Sequence, residues 1–416
     1  MDFEDTPEES AFRAEARAFL DQHAERRRPG VETYETESES DKVAKARRWQ
    51  ATKAQAGFSG ITWPKAVGGR GAKPIHETIF RQEEKKYVVS RGVFEVSMSV
   101  CMPVVLACGR EDQIERYVRP ALEGKEIWCQ LFSEPSAGSD LAGLRTRAKR
   151  EGEGDEWIID GQKTWTSGAH YADFGLLIAR SDSTVAKHLG LTAFIVDMHT
   201  KGLEARPVKQ MAGEVLAGFN DVFFTGMRVS DTLRIGAPGE GWKVTLTALA
   251  SERYGISESP ALMPGVEELH KLISTLSDAQ GAPLIRNSAV REKLADLYVR
   301  TRGLKYNEYR TITTLSQGRA LGPESSFTKL VHQNMAQEIS LLALDLLGMH
   351  GMIAQADIAP MRGWFHDSML ATPTGRLAGG SDEIIRNIVA ERVLGLPADV
   401  RVDKDLPFNK IKTGAR

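Results

Sequence analysis

Residues 131–143 read LFSEPSAGSDLAG, and the pattern of the chain changes across them. Upstream, apolar residues recur with helical spacing; downstream, for about a hundred residues, they alternate as in strands. The stretch is an apolar run that stops at Ser133, turns through Pro135 and Gly138, and releases into Ser139-Asp140. Proline presets one φ, and a turn of Ser and Gly exposes backbone N–H groups that can be aimed at an anion. An ordinary surface loop has the same composition, so these residues alone leave both readings open.

Toward the N-terminus, Thr6-Pro7-Glu8-Glu9 is a helix start with a hydroxyl cap, proline at the first position and glutamate at the third. Phe12, Ala16, Phe19 and Leu20 then form one apolar face. Residues 25–42 are charged and polar, an exposed connection or a frayed helix. A second helix near 42–56 stops at Gly57, and GITWPKAVGGRG (60–71) is a fixed turn punctuated by Pro64 and glycines. Residues 75–124 read as further helices, so 1–128 form one helical domain.

From Cys129 the period becomes two. Residues 157–159 and 162–167 predict a hairpin turning through Asp160-Gly161. Further strands are expected over 175–180, 191–198, 203–207 and 221–229, which makes residues 129–238 a small barrel or sandwich. Helical periodicity returns at Gly239, with helices over 241–275, 288–319, 324–348, 354–370 and 381–394. Residues 239–416 are thus a helical bundle with a polar tail, after Pro397, that wraps the surface. The expected class is α+β and multidomain: helices, a small β domain, then helices.

The 416 residues, 41% hydrophobic and 26% charged, describe a soluble globular protein. A net charge of −2 recommends neither a nucleic-acid nor an anionic-membrane partner. Cys101, Cys108 and Cys129 are too few and wrongly spaced for a disulfide framework or a zinc site, so no metal is expected. No secretion signal or membrane-span pattern is present, and the cytoplasm is the expected location.

SEPSAGSD resembles the flavin-site signature of the acyl-CoA dehydrogenase family, and the 60–71 turn and the order of domains are similar to that family too. The resemblance implies FAD. It gives Ser133 a hydrogen bond to the flavin, with Phe132 standing beside it where a smaller aliphatic is usual. Ser139 would lie near both FAD and the CoA arm. In GQKTWTSGAHYADF (161–174), Trp165 would pack beside the flavin ring, followed by Thr166 and by Ser167 as a further flavin hydrogen bond. By base rate a tryptophan is a core aromatic, so Trp165 rests on the resemblance. In LLALDLLGMHGM (341–352), a helix ends at Gly348 and turns through His350. The resemblance places Asp345 and Gly348 near the FAD diphosphate of a neighbouring subunit, although the family usually has Gln at 345 and Gly at 349.

GRLAGGSDEIIRNIVAERVLGLP (375–397) is the second signature. Ser381 can cap the next helix, but Ile384 replaces the Glu or Gln of a full capping box. A well-started packing helix explains this; so does a helix N-terminus offering N–H groups to an anion or carbonyl. The resemblance assigns Ser381 and Glu383 to the cofactor, and Gly379 and Gly380 to the thioester. Many members carry their catalytic glutamate where Gly379 stands, so that base is lacking here.

Its replacement is sought on the 241–275 helix. Trp242, Leu249 and Ile256 recur every seven residues, and Glu252 falls on their face. A carboxylate on an apolar stripe is costly unless paired or functional, and the pattern alone allows either. Arg253 points roughly 100° away. A branch of the family, the isovaleryl- and long-chain-type members, places its base here in a Glu-Arg pair; the resemblance therefore makes Glu252 the base and puts Arg253 at the substrate. The family's Arg-x-x-Phe-Gly FAD contact is not recognisable near 275–290, and Arg286 or Arg291 are the candidates to replace it. The implied function is FAD-dependent α,β-dehydrogenation of an acyl-CoA. Electrons would pass to an electron-transferring flavoprotein, from a homotetramer or homodimer, a heteromer being possible. Alternatives are an acyl-CoA oxidase, a flavin monooxygenase on the same fold, and a non-catalytic subunit of a heteromeric dehydrogenase.

Overall fold

The computed structural model describes residues 5–27, 38–90, 92–152, 154–211, 218–256, 263–317, 319, 322 and 326–411, the side chains of 252–256, 315 and 316 excepted. It divides into two compact units, one of residues 7–209, 217–255 and 398–416, the other of 256–397 with 1–6 and 210–216.

In the larger unit, helix α1 (Pro7–His23) buries Phe12, Ala16, Phe19 and Leu20, the face that its spacing predicts. It packs with α2 (Glu39–Gln55) and α3 (Pro74–Glu84) around Trp49, Phe58, Ile79 and Phe80. Ser38 caps α2, and Trp49 Nε1 donates to the buried Glu84 at 2.9 Å. Residues 25 and 26 are not merely a connection. They form a short strand β1 (Glu25–Arg26) that pairs with β2 (Tyr87–Val88). Helices α4 (Met102–Cys108) and α5 (Glu111–Leu122) complete the N-terminal helices.

An eight-stranded sheet follows, with order β10-β7-β6-β4-β5-β9-β8 and β3 lying parallel beside β6. Its strands are β3 (Trp128–Leu131), β4 (Arg147–Arg150), β5 (Glu156–Ser167) and β6 (Phe174–Arg180). Next come β7 (Leu191–Asp197), β8 (Leu203–Pro207), β9 (Phe219–Ser230) and β10 (Arg234–Ile235). Along β6, Leu176 and Ile178 join a core with Val104, Val118 and Val244, while Leu177 and Ala179 join Trp157, Val222 and Phe224. Both faces of β6 are covered, which is why its sequence is a continuous apolar run.

The expected hairpin at Asp160-Gly161 does not form. Strand β5 continues through it, and both halves pair with β9, whose register skips between Ile159 and Gly161. The pair is a bulge. Gly161 has φ +149°, and a Cβ there would lie 2.6 Å from Thr146 Oγ1, while Asp160 accepts the Gly226 N–H at 2.8 Å. A DG pair marks a hairpin only when its flanks pair with each other; here β9 offers a longer partner to both.

Helix α6 (Gly241–Ile256) closes this unit and buries Gly241, Val244, Thr245 and Ala248. The buried row is thus offset from the predicted Trp242–Leu249 row, both of which are half-buried.

The second unit contains α7 (Val266–Thr275), α8 (Ser288–Ser316), α9 (Phe327–Leu347), α10 (Trp364–Leu377) and α11 (Asp382–Ile388). Its core joins Leu269 and Leu272 of α7, Leu297 of α8, Ile339 and Ala343 of α9, and Phe365 of α10. Two helices differ from expectation. The 241–275 helix is two elements, α6 and α7; residues 263–265 lie outside both, and α7 starts after Pro264 with the Gly265 N–H donating to Glu268. The helix expected over 354–370 begins only at Trp364, after a turn at Pro360–Gly363 in which Met361, Arg362 and Gly363 are all left-handed (φ +50°, +55° and +77°). Among the described residues no helix is long and apolar enough to cross a membrane.

Replacing Gly161 with Ala should cost about 1–3 kcal/mol, because the bulge needs a backbone that side chains rarely adopt. Thermal and urea unfolding would show it; an unchanged Tm would mean that the bulge relaxes freely.

Candidate functional site

The turn after β3 is held by buried charge. Glu134 and Ala137 exchange backbone hydrogen bonds of 3.0 Å, closing a tight turn over Pro135-Ser136. The buried Glu134 carboxylate accepts the N–H of Arg145 at 2.6 Å and of Thr146 at 2.8 Å. Lys163 of β5, 0% exposed, reaches across to donate to Glu134 Oε1 and to the Phe132 carbonyl, each at 2.9 Å. Thr164 N–H completes the joint by donating to the Ser133 carbonyl at 2.9 Å. Burial pulls the Lys163 ammonium down, to about 8, against the attraction of Glu134. Burial also works to raise Glu134, but Lys163 outweighs it and holds the carboxyl below its usual range.

Immediately beyond, β5 makes a second irregularity against β9 between Lys163 and Thr166. Trp165 takes a left-handed φ of +58° and stands 60% exposed, edge-on to Phe219 with ring centroids 5.7 Å apart. Exposure on this scale is unusual for an indole, and here the bulge imposes it. Ser133 and Ser167 are half-buried; among the described residues nothing bonds their hydroxyls or the Trp165 N–H. Two predicted contacts are different in kind. Phe132 is buried in the core with Trp128 and Leu141, so its contribution to the turn is its carbonyl rather than its ring. Thr166 is 1% exposed and accepts Asn220 Nδ2 on its backbone oxygen, and its hydroxyl is buried without a partner.

The far side of the turn is exposed at Ser139 and Asp140. Lys187 ties Asp140 (2.9 Å) to Asp403 of the tail (2.6 Å), and the Arg180 guanidinium donates to the carbonyls of Ala142, Leu144 and Lys187. Phe408 of the tail lies 3.5 Å from that guanidinium. The tail does wrap the surface of this unit, as its composition implies. Glu252 and Arg253 fall in α6, and their side chains are outside the described residues.

In the helical unit, α9 ends at Gly348 (φ +54°) and turns through Gly348–Met352. Asp345, Gly348, Gly351 and His366 line a cavity of about 470 Å³. After α10, Gly379 and Gly380 are both left-handed (φ +65° and +98°), and Ser381 caps α11 by accepting the Ile384 N–H. Glu383 is exposed, whereas its neighbour Asp382 is buried. Asp382, Glu134, Lys163 and Arg180 escaped the sequence reading. Lys163 alone carried a signal, since alternation from Trp157 and Ile159 puts it on the inward side.

The middle-domain model of the acyl-CoA dehydrogenase family matches residues 129–227, the N-terminal model 6–125 and the C-terminal model 239–394. The acyl-CoA dehydrogenase IpdE1 of Mycobacterium tuberculosis is 32% identical over 364 residues, 87% of this chain and 91% of that protein. The acyl-CoA dehydrogenase FadE34 of the same organism is 33% identical over 387 residues, which cover 91% of this chain; the chain spans about half, 51%, of that relative's length. Among solved structures, the Tcur3481-Tcur3483 steroid ACAD superposes with a TM-score of 0.79 at 24% identity, covering 96% of this chain and all of that one, and shows the fold. The chain belongs to the acyl-CoA dehydrogenase family, with its three-domain architecture of helices, sheet and helices. Members of this family are FAD-dependent oxidoreductases. The residues present fit that cofactor: an exposed indole face and two unbonded hydroxyls surround a turn whose backbone is pinned.

Lys163→Met would leave Glu134 buried and unpaired, and should destabilise the protein by about 3–5 kcal/mol. Adding Glu134→Leu should recover part of that loss. Chemical denaturation of Lys163→Met, Glu134→Leu and the double variant measures the coupling, and losses that simply add would refute the pairing.

Proposed function

We propose that the protein is an FAD-dependent acyl-CoA dehydrogenase that introduces a 2,3 double bond into an acyl-CoA thioester. The observation that carries this is the pinned turn at Ser133, with Trp165 and Ser167 presented unbonded beside it. Ser133 and Ser167 are the hydrogen-bond partners of the flavin, Trp165 is the flat wall against its ring, and Ser139 faces the CoA arm. Bound FAD supplies the hydride acceptor. Ser381 and Glu383 complete the cofactor contacts.

Removing an α-proton requires a placed base and a stabilised enolate oxygen. The Gly379 N–H, on a left-handed turn, would hold the thioester oxygen, with a ribityl hydroxyl of bound FAD as the second donor and Gly380 beside the substrate. Glu252 takes the α-proton at its carboxylate, with Arg253 at the substrate; position 252 is one helical turn beyond buried Ala248 on α6. Residues 1–128, 129–238 and 239–416 are the domain limits we assign. An electron-transferring flavoprotein is the proposed acceptor and a homotetramer or homodimer the proposed assembly, in the cytoplasm. Asp345 favours a second assembly. A carboxylate lining the α9 turn is a poor neighbour for the cofactor's diphosphate, so a different chain in a heteromer would supply that contact.

The purified protein should be yellow, with one FAD per chain in a homo-oligomer. Half that ratio, or a colourless chain that gains colour only with a partner, would favour the heteromer. Anaerobic mixing with a panel of straight-chain, branched and ring-bearing acyl-CoA thioesters should bleach the flavin. Glu252→Gln should retain FAD yet lose on the order of 10²–10⁴ in bleaching rate, the range for a positioned base. The exposed Glu267→Gln serves as control. Undiminished bleaching by Glu252→Gln would put the base elsewhere, and fast aerobic H₂O₂ release would reveal an oxidase.

A further inference from the structure

Two consecutive left-handed glycines are the least self-supporting backbone a chain can present, because glycine occupies either sign of φ at little cost. Gly379 and Gly380 are such a pair (φ +65° and +98°), flanked by the end of α10 and the Ser381 cap of α11. Something outside the turn must therefore select its conformation. Asp382 is placed to do so. It is 1% exposed, and its Oδ2 accepts Arg376 Nε at 2.8 Å and Asn334 Nδ2 at 2.9 Å. Arg376 lies on α10, six positions earlier, so this charge-assisted bond spans the turn from one side to the other.

The other side of the clasp comes from α9. Lys329 Nζ donates to the Gly380 carbonyl at 2.7 Å and lies 3.9 Å from Asp382 Oδ1, which itself accepts no hydrogen bond among the described residues. Arg376 is anchored in turn on α9, donating to Gln337 Oε1 at 2.9 Å. Burial works against the Asp382 charge, but Arg376 and Asn334 outweigh it, and the carboxyl sits below its usual range. A first-turn aspartate needs none of this to serve its helix, since an exposed one already suits the dipole. Burying it beside two cations, one of which also holds the Gly380 carbonyl, is a costly arrangement whose geometric effect falls on the turn.

We propose that Asp382 is a positioning residue, which with Arg376 and Lys329 clasps the Gly379-Gly380 turn and so fixes the direction of the Gly379 N–H. The inference rests on the acyl-CoA reading for its catalytic consequence. It deepens that reading, because the oxyanion donor is then set by a buried ion pair rather than by the glycines themselves. Misdirecting a donor lowers transition-state stabilisation more than ground-state binding, so the effect falls on kcat rather than KM.

Asp382→Asn keeps the shape and removes the charge. It should load FAD as wild type does and hold KM within about threefold, while flavin reduction slows roughly 10- to 100-fold. The long-wavelength charge-transfer absorbance of a bound 3-thiaacyl-CoA, which reports polarisation of the thioester, should fall with it. Arg376→Met should do the same, and Arg376→Lys, which keeps the cation, should restore part of the rate. By hydrogen exchange and mass spectrometry, the 376–384 amides of Asp382→Asn should exchange roughly tenfold faster. A flavin-loaded Asp382→Asn with unchanged rate, absorbance and exchange overturns the clasp. Should that variant fail to fold, Lys329→Met tests the same turn from the Gly380 carbonyl, and an unchanged rate and exchange there overturns it equally. If no acyl-CoA bleaches the wild type, the reaction reading fails, and the exchange measurement alone then decides the clasp.

Discussion

A lysine and a glutamate buried together beneath the first signature turn set the geometry of the larger unit. Neither charge tolerates burial alone, since desolvation costs several kcal/mol per ion in a protein interior. Lys163 and Glu134 meet that cost by facing each other and by using their remaining capacity on the Phe132 carbonyl and the N–H groups of Arg145 and Thr146. Each of those partners belongs to backbone that must stop, turn or restart there. The end of β3, the start of β4 and the middle of β5 are consequently one joint. Ser133 and Trp165 inherit their positions from it.

The strained features follow. With Lys163 drawn inward and Thr164 N–H committed to the Ser133 carbonyl, β5 cannot keep its register against β9. The residue that absorbs the mismatch is Trp165, whose left-handed backbone turns a large indole outward. Backbone of this kind costs of order 1–3 kcal/mol and persists only where its surroundings over-determine it. Here the surroundings are a buried ion pair on one side and the Asn220 bond to the Thr166 carbonyl on the other. The glycine pair at 379–380 solves the opposite problem. Its backbone is unstrained but permissive, and charge imported from α9 and α10 restricts it.

Much of this architecture was legible in the residues. The buried face of α1, the Ser381 cap and the strands near 175–180, 191–198 and 203–207 all follow from periods and end signals that neighbours in sequence carry. The family signatures pointed to Ser133, Trp165 and Ser167, which their chemistry alone left as a turn serine, a core aromatic and a strand serine. Where expectation failed, a partner distant in sequence had decided. Asp160-Gly161 became a bulge because β9 was available to both of its flanks.

The sequence by itself determined the order of helices, strands and helices and the family signatures, because hydrophobic period and turn chemistry act over a few neighbouring residues. Strand alternation turns Lys163 inward, but only the tertiary structure decided which partners the buried charges meet and what they hold. Lys163 and Glu134 are 29 positions apart and Lys329 and Gly380 51 apart, and no local pattern relates them. A buried charge is stable only with its partner in place, and where that partner lies is a property of the folded chain.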